Sequence, residues 1–453
     1  MNYQALLRTP RRALVWPLIL ATAVVMLAQP VFCQRLGDPY TSVDFGLGFG
    51  AKALSMGGAF IADGKGLAAV GFNPAGLARL SGVEFNLGAG FSGQAAKVPA
   101  GRVSYDDFNS LPPGSAYDWA LTRASPRHAG VAAVLTGGGR IVVGVTYHRE
   151  INYGASYAYS IARSGTYILY HPNDPTTGIP GNIEQSENYS DHNAGGLDVI
   201  TGSLAFRVVK NVYFGVNMNF RKGPSRTSSV EGYSFAFLGD GGLSLSGQGS
   251  MILNSNSHDS TAINADFGLQ WVTRLFSVGF VVRTGSSVNY VYDFTDLETV
   301  TYSDGTSLQF DHQSQGQWAY RRPAQYGFGL SLRPARGLTG SVEYWTSDFY
   351  FGKPYPGVWD QLRTGVEYNL PVRGFELPLR AGWFSSETDI PAYGGWAWIQ
   401  GFTFGTGFVW RNMSLDIGAV LHSKAYTYGD APVTRMSSWD VVTTLTFRLG
   451  KQP

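Results

Sequence analysis

The sequence predicts an all-β protein, a 14-stranded antiparallel transmembrane β-barrel with an N-terminal luminal plug. Three observations indicate this fold. Apolar and polar residues alternate with a period of two, short and long connections alternate along the chain, and only 15% of the 453 residues are charged while 58 are glycine. A soluble α/β enzyme of this length carries nearer a quarter charged residues. The net charge of +2 argues against a nucleic-acid partner.

Residues 1–33 have the composition of an export signal. Three arginines among the first twelve residues precede an apolar stretch, 13–28, that is interrupted by Pro17 and short for a spanning helix. Cleavage is expected after Ala28 or Cys33. Because Cys33 is the only cysteine, no intrachain disulfide and no multi-cysteine metal site are expected.

The strands are predicted from period-two alternation. In the run 212–221, Val212, Phe214, Val216, Met218 and Phe220 share one face and the polar residues share the other. Such runs last about 9–11 residues, the span of a tilted strand across a bilayer core. Fourteen of them are predicted: 83–92, 128–137, 140–150, 197–208, 212–221, 262–272, 276–284, 324–333, 338–347, 361–369, 376–385, 400–410, 413–422 and 439–449.

The connections favour a membrane barrel over a soluble propeller or sandwich. Those after even-numbered strands are short and those after odd-numbered strands are long, which is typical of tight periplasmic turns and long external loops. Soluble all-β folds lack this asymmetry, and a propeller needs a repeat that the sequence does not show. Aromatic residues near strand ends are expected to form the interfacial girdles. They are Tyr147, Tyr153, Tyr290, Tyr344, Trp345, Trp383, Trp410 and Trp439.

Residues 34–82 are expected to form a plug inside the barrel, and 83–450 the barrel itself. The stretch is rich in Gly and Ala and too apolar for a disordered tail. A barrel of this size has a lumen wide enough to need filling or gating. The Gly and Ala content suits close packing in that confined space.

The same stretch resembles the N-terminal signature of the FadL/TodX family of outer-membrane transport proteins. The matching elements are Lys52-Ala53, Met56-Gly57-Gly58-Ala59, Ala62-Asp63 and Asn73-Pro74-Ala75-Gly76-Leu77. The resemblance implies a hatch that moves when a hydrophobic molecule binds from outside, after which the molecule leaves sideways through the wall. The hatch and gating residues it implies are Met56, Gly57, Gly58, Phe60, Asn73, Pro74, Ala75 and Gly76.

Passive transport of fatty acids or aromatic hydrocarbons across the outer membrane of a Gram-negative bacterium is therefore expected, with outer-membrane lipid around the barrel. The segments 153–170 and 235–253 are expected to offer an apolar landing surface. Arg149, Arg221 and Arg283 are possible contacts for a ligand carboxylate. No metal site is expected, because the histidines lack ligand spacing. No cofactor and no catalytic residues are expected, since His258-Asp259-Ser260 are too close in sequence for a triad.

The PorV-type proteins of type IX secretion carry a similar signature. This similarity leaves a second interpretation of the function open. In that interpretation the barrel binds secreted proteins and other secretion components. One departure bears on the hatch: the chain has Asp63-Gly64-Lys65-Gly66 where the family often has paired acids.

Overall fold

The computed structural model describes most of the chain beyond its N-terminal part. The predicted signal, 1–33, and the first residues of the predicted plug lie outside the described ranges. These ranges are 49–97, 119–135, 141–152, 155–171, 174–223, 225–239, 244–302, 307–322, 324–347, 360–390, 395–427 and 434–450.

Eighteen strands make up most of the described chain. They are β1 Val83–Lys97, β2 Trp119–Val134, β3 Ile141–Asn152, β4 Ala155–His171, β5 Asp174–Val209, β6 Val212–Lys222, β7 Ser225–Gly239, β8 Ser244–Val272, β9 Phe276–Arg283, β10 Ser286–Tyr302, β11 Ser307–Arg322, β12 Gln325–Ala335, β13 Leu338–Ser347, β14 Asp360–Val372, β15 Phe375–Ile390, β16 Gly395–Trp410, β17 Met413–Thr427 and β18 Thr434–Leu449.

Fourteen of these strands close into an antiparallel barrel. The ring runs β1, β2, β3, β5, β6, β8, β9, β12, β13, β14, β15, β16, β17 and β18. It is closed by a ladder between β1 and β18 from Val83–Leu449 to Lys97–Arg435. Each wall strand overlaps one of the predicted runs, so the predicted count and order are confirmed.

The barrel wall carries apolar side chains on its outer face and polar side chains on its inner face, the reverse of a soluble protein. On β6, Met218 is 45% exposed and Phe220 50%, whereas the intervening Asn217 and Asn219 are 1% and 4% exposed. An apolar outer face suits hydrocarbon, and closure leaves no unpaired strand edge in the ring. The predicted transmembrane barrel is confirmed by this arrangement.

Tight turns join wall strands at one end of the barrel. Left-handed backbone occurs at Asn211 (φ 70°), Gly337 (φ 78°), Gly374 (φ 87°) and Arg411 (φ 49°), each within such a turn. Positive φ matches the twist that a short hairpin connection must accommodate. This end is called the tight-turn end.

At the opposite end of the barrel, the structure has paired strands where long external loops were predicted. There β4, β7, β10 and β11 join the extended upper parts of β5 and β8 in a six-stranded sheet, ordered β4–β5–β7–β8–β10–β11. We call this sheet the crown. Its residues 174–195 of β5 span roughly 70 Å at the usual rise per residue. The loop prediction was wrong here because long polar connections pair with one another once they are neighbours on the rim.

One of the predicted girdle aromatics, Trp345, faces the lumen instead. It is 0% exposed, whereas Tyr344, Trp410 and Trp439 are exposed on the outer face. Trp383 is also buried, at 3% exposed, although it is paired with the exposed Phe402. Neighbouring residues on a strand point to opposite faces, so Tyr344 and Trp345 cannot both lie in the girdle. The girdle prediction was wrong for Trp345.

Residues 49–82 lie inside the barrel and are called the luminal segment. It contains a short helix α1, Ala51–Ser55, a second, α2, Leu67–Val70, and a 3-10 helix, Pro74–Arg79. Helix α1 packs on β15 to β18, while the 3-10 helix packs on β3, β5, β6 and β8. No helix in the described part of the chain is long and apolar enough to cross a membrane.

Candidate functional site in the barrel lumen

The luminal segment approaches the wall most closely where the wall has glycine. A Cβ on Gly215 of β6 would lie 2.3 Å from the carbonyl carbon of Pro74, and one on Gly382 of β15 would lie 2.2 Å from the Gly57 nitrogen. Any side chain at either position would push the segment away. The wall and the segment are therefore fitted to each other at backbone level.

Asn73 fixes the turn that opens the 3-10 helix. Its side-chain oxygen accepts a hydrogen bond from the Ala75 N–H (3.1 Å), which caps the helix ahead of Pro74. Its amide nitrogen donates to the carbonyls of Ile61 and of Leu269 on β8, both at 3.0 Å. Asn73 thus ties two turns of the luminal segment to the wall.

Replacing Asn73 with Ala is expected to loosen the luminal segment. The cap and the two amide hydrogen bonds together contribute about 2 kcal/mol. Trypsin cleavage at Arg79, measured on the protein in detergent, should then be at least roughly tenfold faster. The solvent-exposed Asn412 offers the control, because Asn412→Ala should leave this rate unchanged; equal rates for wild type and Asn73→Ala would contradict the role of Asn73.

Met56, Gly57 and Gly58 form a second turn, which follows α1. Gly57 and Gly58 both have positive φ, 67° and 75°, a conformation that glycine adopts without strain. The Gly57 N–H donates to the Thr403 hydroxyl of β16 (2.8 Å). Phe60 follows and packs edge-on against Phe72, with ring centroids 5.4 Å apart. The remaining turn residues, Ala75 and Gly76, are buried, and a Cβ on Gly76 would lie 2.3 Å from the Gly64 carbonyl oxygen.

A buried charge network holds α1 to the wall. Arg380 of β15 contacts Glu367 of β14 (2.5 Å) and Asp416 of β17 (2.7 Å), and Lys52 of α1 contacts the same Glu367 (2.9 Å). The Glu367 and Arg380 side chains are nearly inaccessible to solvent. Such a network is stable only while all of its members are present.

A second network surrounds Trp345. The Trp345 indole N–H donates to Glu343 (3.1 Å), which also accepts the Ile61 backbone N–H. The guanidinium groups of Arg283 and Arg363 lie 4.3 and 5.4 Å from the indole ring centroid. Glu343 and Arg363 were missed by sequence reasoning, although charged residues on the inward phase of a strand were available as a signal.

The three arginines predicted to contact a ligand are engaged within the protein. Arg149 pairs with Asp198 (2.8 Å), and the buried Arg221 pairs with Glu150 (2.6 Å). Arg283 donates to the Gly71 carbonyl of the luminal segment (2.6 Å). A carboxylate would therefore have to replace these partners, and a ligand role for the three arginines stays a prediction.

The wall is discontinuous between β2 and β3. Within the described residues their ladder has seven pairs, from His128–His148 to Val134–Val142, although both strands continue outward. The pairing of β2 with β1 shifts register at Gly88/Ala89, so that Arg127 bulges beside Pro126. A bulge bends a strand and proline lacks the N–H that a ladder needs, which accounts for the divergence.

Phe49 of the luminal segment covers the inner side of this divergence. Its ring centroid lies 5.3 Å from that of His128 and 5.0 Å from that of His148, the last cross-strand pair of the ladder. Phe49 is buried in a core with Leu67, Leu77 and wall residues of β2, β3 and β5. The luminal segment thus closes the lumen at the point where the wall pairing ends.

Solved structures of hydrocarbon channels share this fold. The toluene transporter TodX of Pseudomonas putida matches with a TM-score of 0.54 and 14% identity, over 89% of this chain and 99% of that chain. The toluene transporter TbuX of Ralstonia pickettii matches with a TM-score of 0.50 and 17% identity, over 90% and 99%. A Pseudomonas aeruginosa FadL homologue matches with a TM-score of 0.50 and 13% identity, over 92% and 100%.

At these identities the likeness shows a shared fold. The resemblance to the FadL/TodX plan that the sequence predicted is confirmed at that level. No protein-family model matches the chain, and no curated protein matches it by sequence.

Proposed function

We propose that this chain is an outer-membrane channel for the uptake of hydrophobic small molecules, such as monoaromatic hydrocarbons or fatty acids. In this proposal the luminal segment is a hatch, and cargo leaves the lumen sideways between β2 and β3. Two of the structures with this fold are described as toluene transporters, which supports the cargo class.

The observation that carries the proposal is the interrupted β2–β3 ladder. Seven pairs cover roughly 24 Å along the strands, whereas a strand tilted by about 40° runs roughly 33 Å through an apolar band about 25 Å tall. Exposed Val209 and Leu449 carry the apolar outer face down to the tight-turn end. The divergence therefore opens within the apolar band, where an apolar molecule can enter lipid without crossing water.

The contacts of the luminal segment suit a closure that can move. Beside its packed core, it meets the wall through hydrogen bonds and ion pairs, such as those of Gly57 with Thr403 and Asp63 with Arg333. Each such hydrogen bond contributes about 0.5–1.5 kcal/mol net, provided that water reaches the polar groups that the shifting segment leaves. A shift that withdraws Phe49 from His128 and His148 would uncover the divergence.

The crown supplies part of the predicted landing surface. Leu238 at the end of β7 and Ile252 on β8 are 62% and 39% exposed, and both lie in the predicted segment 235–253. The side chains of the other predicted segment, 153–170, lie outside the described residues. Exposed apolar side chains at the rim favour capture of sparingly soluble cargo.

The proposal is tested by uptake of radiolabelled toluene and oleate in a strain from which the gene is deleted. We expect uptake of at least one of the two to fall several-fold and to recover when the wild-type chain is restored. Unchanged uptake of both, together with co-purification of secreted proteins, would contradict transport and support the secretion role.

A further inference from the structure

A cavity of about 200 Å³ opens at the tight-turn end of the lumen. It lies between the luminal segment and the strands β1, β17 and β18, on the far side of the luminal segment from the crown. One part of its lining is apolar and includes Phe60, Ala68 and Leu80. The charged part consists of Lys52, Asp63, Lys65, Glu84, Asp416 and Arg448.

The charges around this cavity are paired except for one. Arg448 pairs with Glu84 (2.8 Å), and Lys52 with Glu367 (2.9 Å). Asp416 pairs with Arg380 (2.7 Å), and Asp63 pairs with Arg333. Lys65 forms no ion pair within the described part of the chain. Lys65 is therefore the one charged residue of the lining that has no ion pair among the described residues.

The chain holds Lys65 in place through its neighbours. Asp63 is fixed by Arg333, and the Gly64 carbonyl accepts hydrogen bonds from Gln270 and Arg79, both at 3.2 Å. Gly66 has φ 69°, and a Cβ there would lie 2.5 Å from the Glu84 carboxylate, so only glycine fits. Lys65, which lines the cavity and is exposed to solvent, therefore stands on a turn that is anchored on both sides.

We propose that this cavity binds the carboxylate of a small amphipathic acid. The carboxylate pairs with Lys65, and the apolar body packs against Phe60, Ala68 and Leu80. A charge-assisted hydrogen bond is roughly twice as strong as a neutral one. If the bound acid is cargo, the channel favours aryl or short alkyl acids over plain hydrocarbons, and this part rests on the proposed uptake function. The existence of the binding site does not depend on that function.

Binding is tested on the purified full chain in nonionic detergent by fluorine NMR titration. The probes are 4-fluorobenzoate and 4-fluorobenzyl alcohol, which share a ring and differ in charge. We expect the wild type to bind the acid at least tenfold more tightly than the alcohol. Lys65→Gln should reduce the affinity for the acid to that for the alcohol, whereas Lys65→Arg should keep the preference.

Lys222→Gln is the matched control, because Lys222 is an exposed lysine at the crown end of β6. It should leave the preference at the wild-type value. A Lys65→Gln protein that keeps the preference for the acid would overturn the proposal. A Lys65→Arg protein that loses this preference would also overturn it.

A third probe, inorganic phosphate, separates an organic acid from a free inorganic anion. Phosphate that displaces 4-fluorobenzoate at equal concentration would show an inorganic-anion site and overturn the proposed ligand class. The titrations measure equilibrium binding to the purified protein. Their outcome therefore does not depend on whether cells that lack the gene show an uptake defect. The two proposals can therefore fail separately.

Discussion

A disulfide between Ala62→Cys of the luminal segment and Gly329→Cys of β12 is expected to block uptake at least roughly tenfold. A Cβ on Gly329 would lie 3.3 Å from the Ala62 Cβ, close to the separation of about 3.5–4.5 Å found in disulfides. The bonds from Asn73 to Ile61 (3.0 Å) and from Gly66 to Gly76 (3.2 Å) link the parts of the segment, so one tether restrains it. The measurement compares uptake with and without a reductant.

The matched control is a disulfide within the wall, Ala132→Cys with Gly144→Cys, in which the two Cβ atoms would also lie 3.3 Å apart. It joins β2 to β3 inside their paired region and leaves the luminal segment untethered. Every variant also carries Cys33→Ser. Uptake should be normal in the oxidised control. Full uptake by the oxidised Ala62–Gly329 variant would show that the luminal segment need not move.

Arg380→Ala is expected to destabilise the barrel by about 3–5 kcal/mol, the usual cost of leaving buried charges without their partner. Glu367 and Asp416 would both lose a shared guanidinium, and Glu367 would keep only Lys52 and the Asn369 amide as partners among the described residues. Urea unfolding of the protein from lipid vesicles, followed by tryptophan fluorescence, measures the change.

Arg149→Ala provides the comparison for this prediction. Its ion pair with Asp198 is about a quarter to a third exposed, and pairs of this kind contribute about 1 kcal/mol or less. A loss of stability in Arg380→Ala no larger than that in Arg149→Ala would show that water or a shifted lysine satisfies the two acids.

The wall could be predicted from the sequence because a membrane barrel repeats one local rule. Alternation such as Met218 outside and Asn217 inside is a property of a single strand, and it needs no knowledge of the neighbouring strands. Short and long connections then determine the order of the strands around the ring. Both signals are local, so the wall strands were found with errors mostly at their outer ends.

The contacts in the lumen could not be predicted because they join residues that are distant in sequence. Glu367, Arg380 and Asp416 meet only after the register of four strands is set, and Lys52 reaches them from the luminal segment. The crown depends in the same way on pairing between connections. The Asn73 turn was the exception, since Asn before Pro at a helix start is itself a local signal.

The ladder between β1 and β18 has a consequence for assembly. It joins residues such as Phe85 and Phe447, from opposite ends of the chain, so it is expected to form late, after the sequential hairpins. The luminal segment immediately precedes β1 and bonds to both strands of this seam. The Ala51 N–H donates to Thr444 of β18 (2.8 Å), and the Leu67 N–H donates to Glu84 of β1 (2.8 Å), which also pairs with Arg448 of β18 (2.8 Å). The same residues that close the finished pore thus hold the first and last strands together while the cylinder seals.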